Sequence, residues 1–124
     1  MAKILVVDDS EIIRNQLNEI LAGGGHEAVE AADGAEGLAK TKEDTFDLII
    51  TDYNMPELNG VEMTKAIREV PGYADVNVLM LTTEAGVDLK KKGKEVGIRA
   101  WIVKPPKGEL ILKAIDKLLS KKAA

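Results

Sequence analysis

Four short apolar runs in this chain each stop at a residue that carries chemistry. Ile4-Leu5-Val6-Val7 stops at Asp8-Asp9, and Phe46-Asp47-Leu48-Ile49-Ile50-Thr51 stops at Asp52. Val78-Leu79-Met80-Leu81 stops at Thr82-Thr83, and Ala100-Trp101-Ile102-Val103 stops at Lys104-Pro105. Such runs read as strands buried on both faces. If they are parallel strands of one sheet, their C-terminal ends share one edge, and that edge is where open α/β sheets bind ligands. It then holds three carboxylates, a hydroxyl and an amine.

Helical periodicity fills the intervals between the runs. After a strand at 3–7, Asp9 or Ser10 can cap a helix over about 10–22, in which Ile13, Leu17, Ile20 and Leu21 recur at helical spacing; Gly23-Gly24-Gly25 ends it. A shorter, more polar run at 27–31 reads as an edge strand, and a weak helix follows near 35–43. Beyond the strand at 46–51 come a loop from Asp52 to Gly60 and a helix near 61–69 that Pro71-Gly72 breaks. A strand at 77–81, a Lys-rich helix near 84–96, a strand at 99–103 and a helix at about 107–121 complete the order. The reading is α/β: a (βα)5 doubly wound parallel five-stranded sheet, with right-handed crossovers placing helices on both faces. Fraying is expected at 121–124.

Length and composition narrow the function classes. At 124 residues the chain reads as a single domain over 1–124, with no output domain expected. It has no cysteine, so disulfides and thiolate zinc sites are excluded. A formal charge of -4 argues against a nucleic-acid partner, and no apolar stretch approaches the roughly 20 residues a membrane span needs. Met1-Ala2-Lys3 runs straight into a strand, so no signal peptide is expected and the expected location is cytoplasmic.

The predicted rim has a definite chemistry. In a doubly wound sheet strands 1 and 3 are neighbours, so Asp8, Asp9 and Asp52 crowd together. Two unit charges ~4 Å apart repel by about 4 kcal/mol at an effective dielectric near 20. Either some protonate or a cation joins them. Mg2+ suits all-oxygen ligands and phosphate, with Mn2+ as the alternative; nothing here offers the softer ligands zinc prefers, and His26 lies elsewhere. Singly, each Asp is an ordinary helix cap, Thr82 a strand-end residue and Lys104 a solvated lysine. Together, Asp52 is placed as a nucleophile that can form an aspartyl phosphate, with Thr82 and Lys104 able to bind phosphoryl oxygens.

At this point the residues resemble a known family. Val7-Asp8-Asp9, Asp52-Tyr53-Asn54-Met55-Pro56, Asn59-Gly60, Leu81-Thr82 and Lys104-Pro105, in this order and at strand ends, resemble the receiver domains of two-component response regulators, most of all stand-alone chemotaxis-type receivers. The resemblance, not the spacing, implies the flavodoxin-like strand order 2-1-3-4-5. It implies that Asp52 is the phosphoacceptor, that Asp9 binds the metal directly and Asp8 through water, and that Asn54 offers its backbone carbonyl. Thr82 and Lys104 are implied as phosphoryl-binding groups, Thr82 and Trp101 as the switch pair, and Asn54 and Glu84 as the side chains setting phosphoryl lifetime. The implied partners are a sensor histidine kinase and a downstream target protein, a flagellar motor switch among the candidates, with the chain a monomer or weak dimer. Three positions depart from the pattern: Trp101 is larger than the commoner Tyr or Phe, Thr83 is larger than the residue often found there, and Pro106 replaces an aromatic.

Other function classes compete with this expectation. A small Mg-dependent aspartyl-phosphate phosphatase needs a second acid two residues beyond the nucleophile, where this chain has Asn54. A flavin-binding domain needs a phosphate-cradling loop after strand 1, where two negative charges stand instead. A binding module that never carries phosphate has no use for Asp52, Thr82 and Lys104 together. A phosphorelay intermediate or phosphate sink uses the same residues as a motility regulator. The expectation is a phosphoacceptor switch rather than an enzyme. The basic helix near 84–96 carries Lys90, Lys91, Lys92 and Lys94; it is either a solvated face or a steering surface for an acidic partner.

Overall fold

The computed structural model describes residues 2–123, with side chains through Ser120. Met1 and Ala124, and the side chains at 121–123 on which the expected fraying partly falls, lie outside the described residues. Ten elements alternate: β1 (Lys3–Val7), α1 (Glu11–Gly23), β2 (Glu27–Ala31), α2 (Gly34–Glu43), β3 (Leu48–Thr51), α3 (Gly60–Ile67), β4 (Asn77–Thr82), α4 (Val87–Glu95), β5 (Ala100–Val103) and α5 (Gly108–Ala123). All four strand pairings are parallel, in the order β2-β1-β3-β4-β5.

The alternation of side chains along each strand divides the core in two. Ile4, Val6, Leu48, Ile50, Leu79, Leu81 and Ile102 face one way and pack against Leu17 and Leu21 of α1 and Ile111, Ile115 and Leu118 of α5. Leu5, Val7, Ile49, Val78 and Met80 face the other way and pack against Met63 and Ile67 of α3, with Leu38 of α2 and Val96 beside them. Burial on both faces is why the central strands read as unbroken apolar runs.

Several boundaries shift by a residue or more from the sequence reading, and three of the shifts have a clear local reason. β3 begins at Leu48, two residues later than expected, because the Phe46 N–H donates to the Tyr73 hydroxyl at 3.0 Å rather than to a strand. α3 ends at Ile67, where the chain tightens into turns: Glu69 and Val70 donate to carbonyls three residues back. α4 begins at Val87, not near residue 84. The Glu84 N–H donates to Thr82 Oγ1 at 3.3 Å and the Glu84 carbonyl accepts from Trp101 Nε1 at 2.8 Å, so both backbone groups are engaged outside a helix. Ser10, not Asp9, caps α1, its hydroxyl accepting the Ile13 N–H at 3.3 Å.

The acidic pocket at the carboxyl edge of the sheet

Strand register brings the rim residues together. Val7 pairs with Thr51, so the residues that follow them, Asp8 and Asp52, emerge side by side from adjacent strands. Thr82 pairs with Val103 on the next pair outward, which sends Lys104 off the same edge. Asp9, Asp8 and Asp52 each place a carboxylate oxygen within 4.8 Å of the others. Asp8 is 1% and Asp52 7% exposed, whereas Asp9 faces solvent.

Lys104 sits between the two buried acids. Its ammonium lies 2.9 Å from Asp8 Oδ2 and 2.9 Å from Asp52 Oδ2. Burial works against the Lys104 charge, but the bonds to Asp8 and Asp52 outweigh it and hold the ammonium above the ordinary lysine value. Burial pushes the Asp8 carboxyl up from its usual range, more strongly than the bonds from Lys104 and the Ser10 N–H pull it down. One ammonium cannot neutralise three carboxylates, so the cluster retains negative charge that a divalent cation would balance. The donor set is all hard oxygen, partly open to water through Asp9, which fits Mg2+ or Mn2+ and does not fit a soft metal.

Backbone contacts fix the two buried carboxylates. The Ser10 N–H donates to Asp8 Oδ1 at 2.9 Å, and the Tyr53 N–H donates to Asp52 Oδ1 at 2.7 Å. The start of α3 presses against Asp52: a Cβ at Gly60 would lie 2.2 Å from the Asp52 carbonyl oxygen, so this helix can begin there only with glycine. The Lys104–Pro105 peptide is cis.

The remaining predicted residues lie in β4, in β5 and in the loops that follow β3 and β4. Thr82 is fully buried at the end of β4. Asn54 is exposed, and its Nδ2 donates to Glu84 Oε2 at 3.2 Å, bridging the loops after β3 and β4. Trp101 is half-buried, its indole N–H on the Glu84 carbonyl and its ring against α4, where a Cβ on Gly93 would come within 2.9 Å of Cζ3. The larger ring is thus accommodated by a glycine on the facing helix. His26 stands apart from the pocket, its Nδ1 accepting the Ala2 N–H at 3.1 Å. Lys90, Lys91, Lys92 and Lys94 are all exposed.

The sequence reading passed over the groups that hold the pocket in place. Arg14 was one: its Nη1 donates to the Asp8 carbonyl at 2.7 Å. The signal was an arginine on the first turn of a helix otherwise read for its apolar positions. The backbone donors of Ser10 and Tyr53 leave no mark in side-chain identity and could not have been found that way.

Known proteins resemble this chain along most of its length. A family model described as "Response regulator receiver domain" matches residues 4–116. A chemotaxis protein CheY homolog of Campylobacter jejuni is 36% identical over 119 residues, 94% of this chain and 92% of that protein. A gliding motility regulatory protein of Myxococcus xanthus is also 36% identical, over 117 residues; that match takes in 94% of this chain but only 15% of the larger protein. Among solved structures, Vibrio cholerae chemotaxis protein CheY4 superposes with a TM-score of 0.90 at 45% identity, covering 94% of this chain and 98% of that one.

Proposed function

Because the chain belongs to the response regulator receiver domain family, we propose that it is a phosphorylation-dependent switch of the chemotaxis type, with Asp52 as its phosphoacceptor. The observation that carries this reading is the Lys104 ammonium lying 2.9 Å from both Asp8 and Asp52, inside a cluster of three convergent carboxylates. Such an arrangement is costly to stability alone and useful for handling a phosphoryl group.

Asp8, Asp9 and Asp52, with the Asn54 backbone carbonyl, are the residues that would hold Mg2+ or Mn2+; when bound, the cation screens the charge that develops on a transferring phosphoryl group. Asp52 has one oxygen held by the Tyr53 N–H and the other by Lys104. In the reaction a carboxylate oxygen of Asp52 forms a bond to phosphorus as the phosphorus–nitrogen bond of a donor phosphohistidine breaks, its electron pair returning to the imidazole. Lys104 pairs with a phosphoryl oxygen in place of its contact with Asp52. Thr82 donates its hydroxyl proton to another, in a motion that loosens its bond from Glu84 and so disturbs the loop on which Trp101 is anchored. Phosphorylation thereby shifts an equilibrium at the α4, β5 and α5 surface.

In this reading a sensor histidine kinase donates the phosphoryl group and a target protein reads the switched surface. The names of the relatives favour a motility pathway, a flagellar motor switch being one target of that kind; a phosphorelay intermediate or phosphate sink uses the same chemistry. The protein acts as a cytoplasmic monomer or weak dimer and assists its own phosphorylation and dephosphorylation rather than turning over an external substrate. Among the described residues no helix is long and apolar enough to cross a membrane.

Trp101 is the only tryptophan, so its emission reports this loop. Beryllofluoride with Mg2+, a stand-in for the bound phosphoryl group, is expected to change that emission saturably in the wild type and to leave Asp52→Asn unaffected. An equal response in Asp52→Asn, or none in either protein, would count against the switch.

A further inference from the structure

Of the three clustered carboxylates, Asp9 alone is exposed, and among the described residues no hydrogen bond or ion pair holds its side chain. Asp8 is fixed throughout. Its N–H donates to the Ala31 carbonyl at 3.1 Å, Oδ1 accepts from Ser10, Oδ2 meets Lys104, and its carbonyl accepts from Arg14 Nη1 at 2.7 Å. That last bond bears on Asp9, because the Asp8 carbonyl and the Asp9 N–H belong to one planar peptide unit. Holding the oxygen holds the plane, and the plane sets the direction in which the Asp9 side chain leaves the backbone.

Arg14 is itself held. Its Nε donates to Glu30 Oε1 at 2.9 Å, and the other Glu30 oxygen accepts from Asn18 Nδ2 at 2.8 Å. The arginine side chain is only 16% exposed. The clamp therefore joins two turns of α1 and the end of β2 to the peptide between the paired acids.

We propose that Arg14 is a positioning residue for the divalent-cation site: it aims the Asp9 carboxylate through the Asp8–Asp9 peptide, with Glu30 and Asn18 holding the guanidinium in place. This rests on the reading of Asp8, Asp9 and Asp52 as a cation seat. Charge alone predicts the opposite effect. Removing the Arg14 cation leaves Glu30 unpaired near an acidic cluster, which strengthens attraction for a dication. Loss of the clamp weakens binding, since residues that orient metal ligands contribute to affinity without touching the ion. The sign of the change thus separates the two.

The test is Mn2+ binding to the full chain, measured from the paramagnetic resonance of free Mn2+, in wild type, Arg14→Ala, Arg14→Lys and Glu30→Gln. Each is first checked for a folded circular dichroism spectrum. Arg14→Ala is expected to bind about tenfold more weakly. Arg14→Lys is expected to fall in the same direction, since one ammonium cannot reproduce a guanidinium bonded to two acceptors in a fixed fork. Glu30→Gln keeps an acceptor for Arg14 but gives up the ion pair that holds the guanidinium, and is expected to bind more weakly than wild type, though by less than Arg14→Ala; affinity equal to wild type would contradict a clamp that depends on Glu30. Unchanged or tighter binding in folded Arg14→Ala overturns the proposal, and so does a lowered melting temperature with unchanged affinity, which marks a purely structural arginine. If Arg14→Ala does not fold, Arg14→Lys decides by the same criteria. Absence of Mn2+ binding by the wild type overturns the cation seat itself, and the proposal with it.

Discussion

Asp8 shows how a single side chain carries conflicting demands. It is buried, which favours its neutral form, and it is paired with Lys104, which favours its charged form; burial wins and its carboxyl titrates above the usual range. A charge held there at neutral pH therefore works against the metal-free fold. Asp8→Asn keeps an acceptor for Lys104 and removes one negative charge. Without divalent metal the variant is expected to be more stable than the wild type, because it no longer buries that charge, and to gain little of the stabilisation that Mg2+ is expected to give the wild type. Urea midpoints with and without metal measure both; a less stable metal-free variant would mean that the Lys104 pairing outweighs the cost of burying the Asp8 charge. Gly60 makes a different demand. Its missing Cβ lets α3 start against the Asp52 carbonyl, so Gly60→Ala is expected to cost about 1–3 kcal/mol by overpacking against backbone and to slow phosphoryl uptake. An unchanged midpoint and rate would show that the loop yields freely.

Elements here are stopped and joined by polar side chains acting on backbone. The Tyr73 hydroxyl accepts from the Phe46 N–H at 3.0 Å and donates to the Asp44 carbonyl at 2.6 Å, which joins the segment before β4 to the loop entering β3. Tyr73→Phe leaves both groups unpaired and is expected to cost about 1–3 kcal/mol at neutral pH. Burial chiefly raises the Tyr73 pKa above its ordinary value of 10.0. The folded value then exceeds the unfolded one, so the contribution is complete below about 10 and is lost as pH rises through the folded value. Stability against pH for the two proteins tests this: the gap between them is expected to be constant at neutral pH and to narrow on the alkaline side, and a gap that widens there would contradict it. Arg68 has a similar role, donating to the carbonyls of Tyr73, Val76, Val96 and Gly97. Such links explain which boundaries the sequence left open. The strands were legible because apolar runs that end at polar residues carry their own punctuation. The ends of α3 and the start of α4 were not, because contacts made from distant positions, such as Trp101 onto Glu84, override local helix propensity there.

At the scale of the whole molecule, parallel topology gathers residues from distant stretches of chain onto one edge, and the rim was legible because each of its members lies at the end of a strand or within two residues beyond it. Asp8, Asp9, Asp52 and Lys104 meet as their positions after β1, β3 and β5 require. Arg14 was not legible, since its contribution passes through a backbone carbonyl and not through any pattern of residue types. What unites these observations is charge: three carboxylates and one ammonium converge on one edge of the sheet, and the proposed function gives that convergence a use, as a seat for a divalent cation beside a phosphoryl group. The most direct test is the intact mass of the wild-type chain after incubation with acetyl phosphate, with Mg2+ and with a chelator. With Mg2+ a single addition of about 80 Da, one phosphoryl group, is expected, absent in the chelator and absent in Asp52→Asn. Uptake that proceeds equally in the chelator, or that persists in Asp52→Asn, would contradict the account.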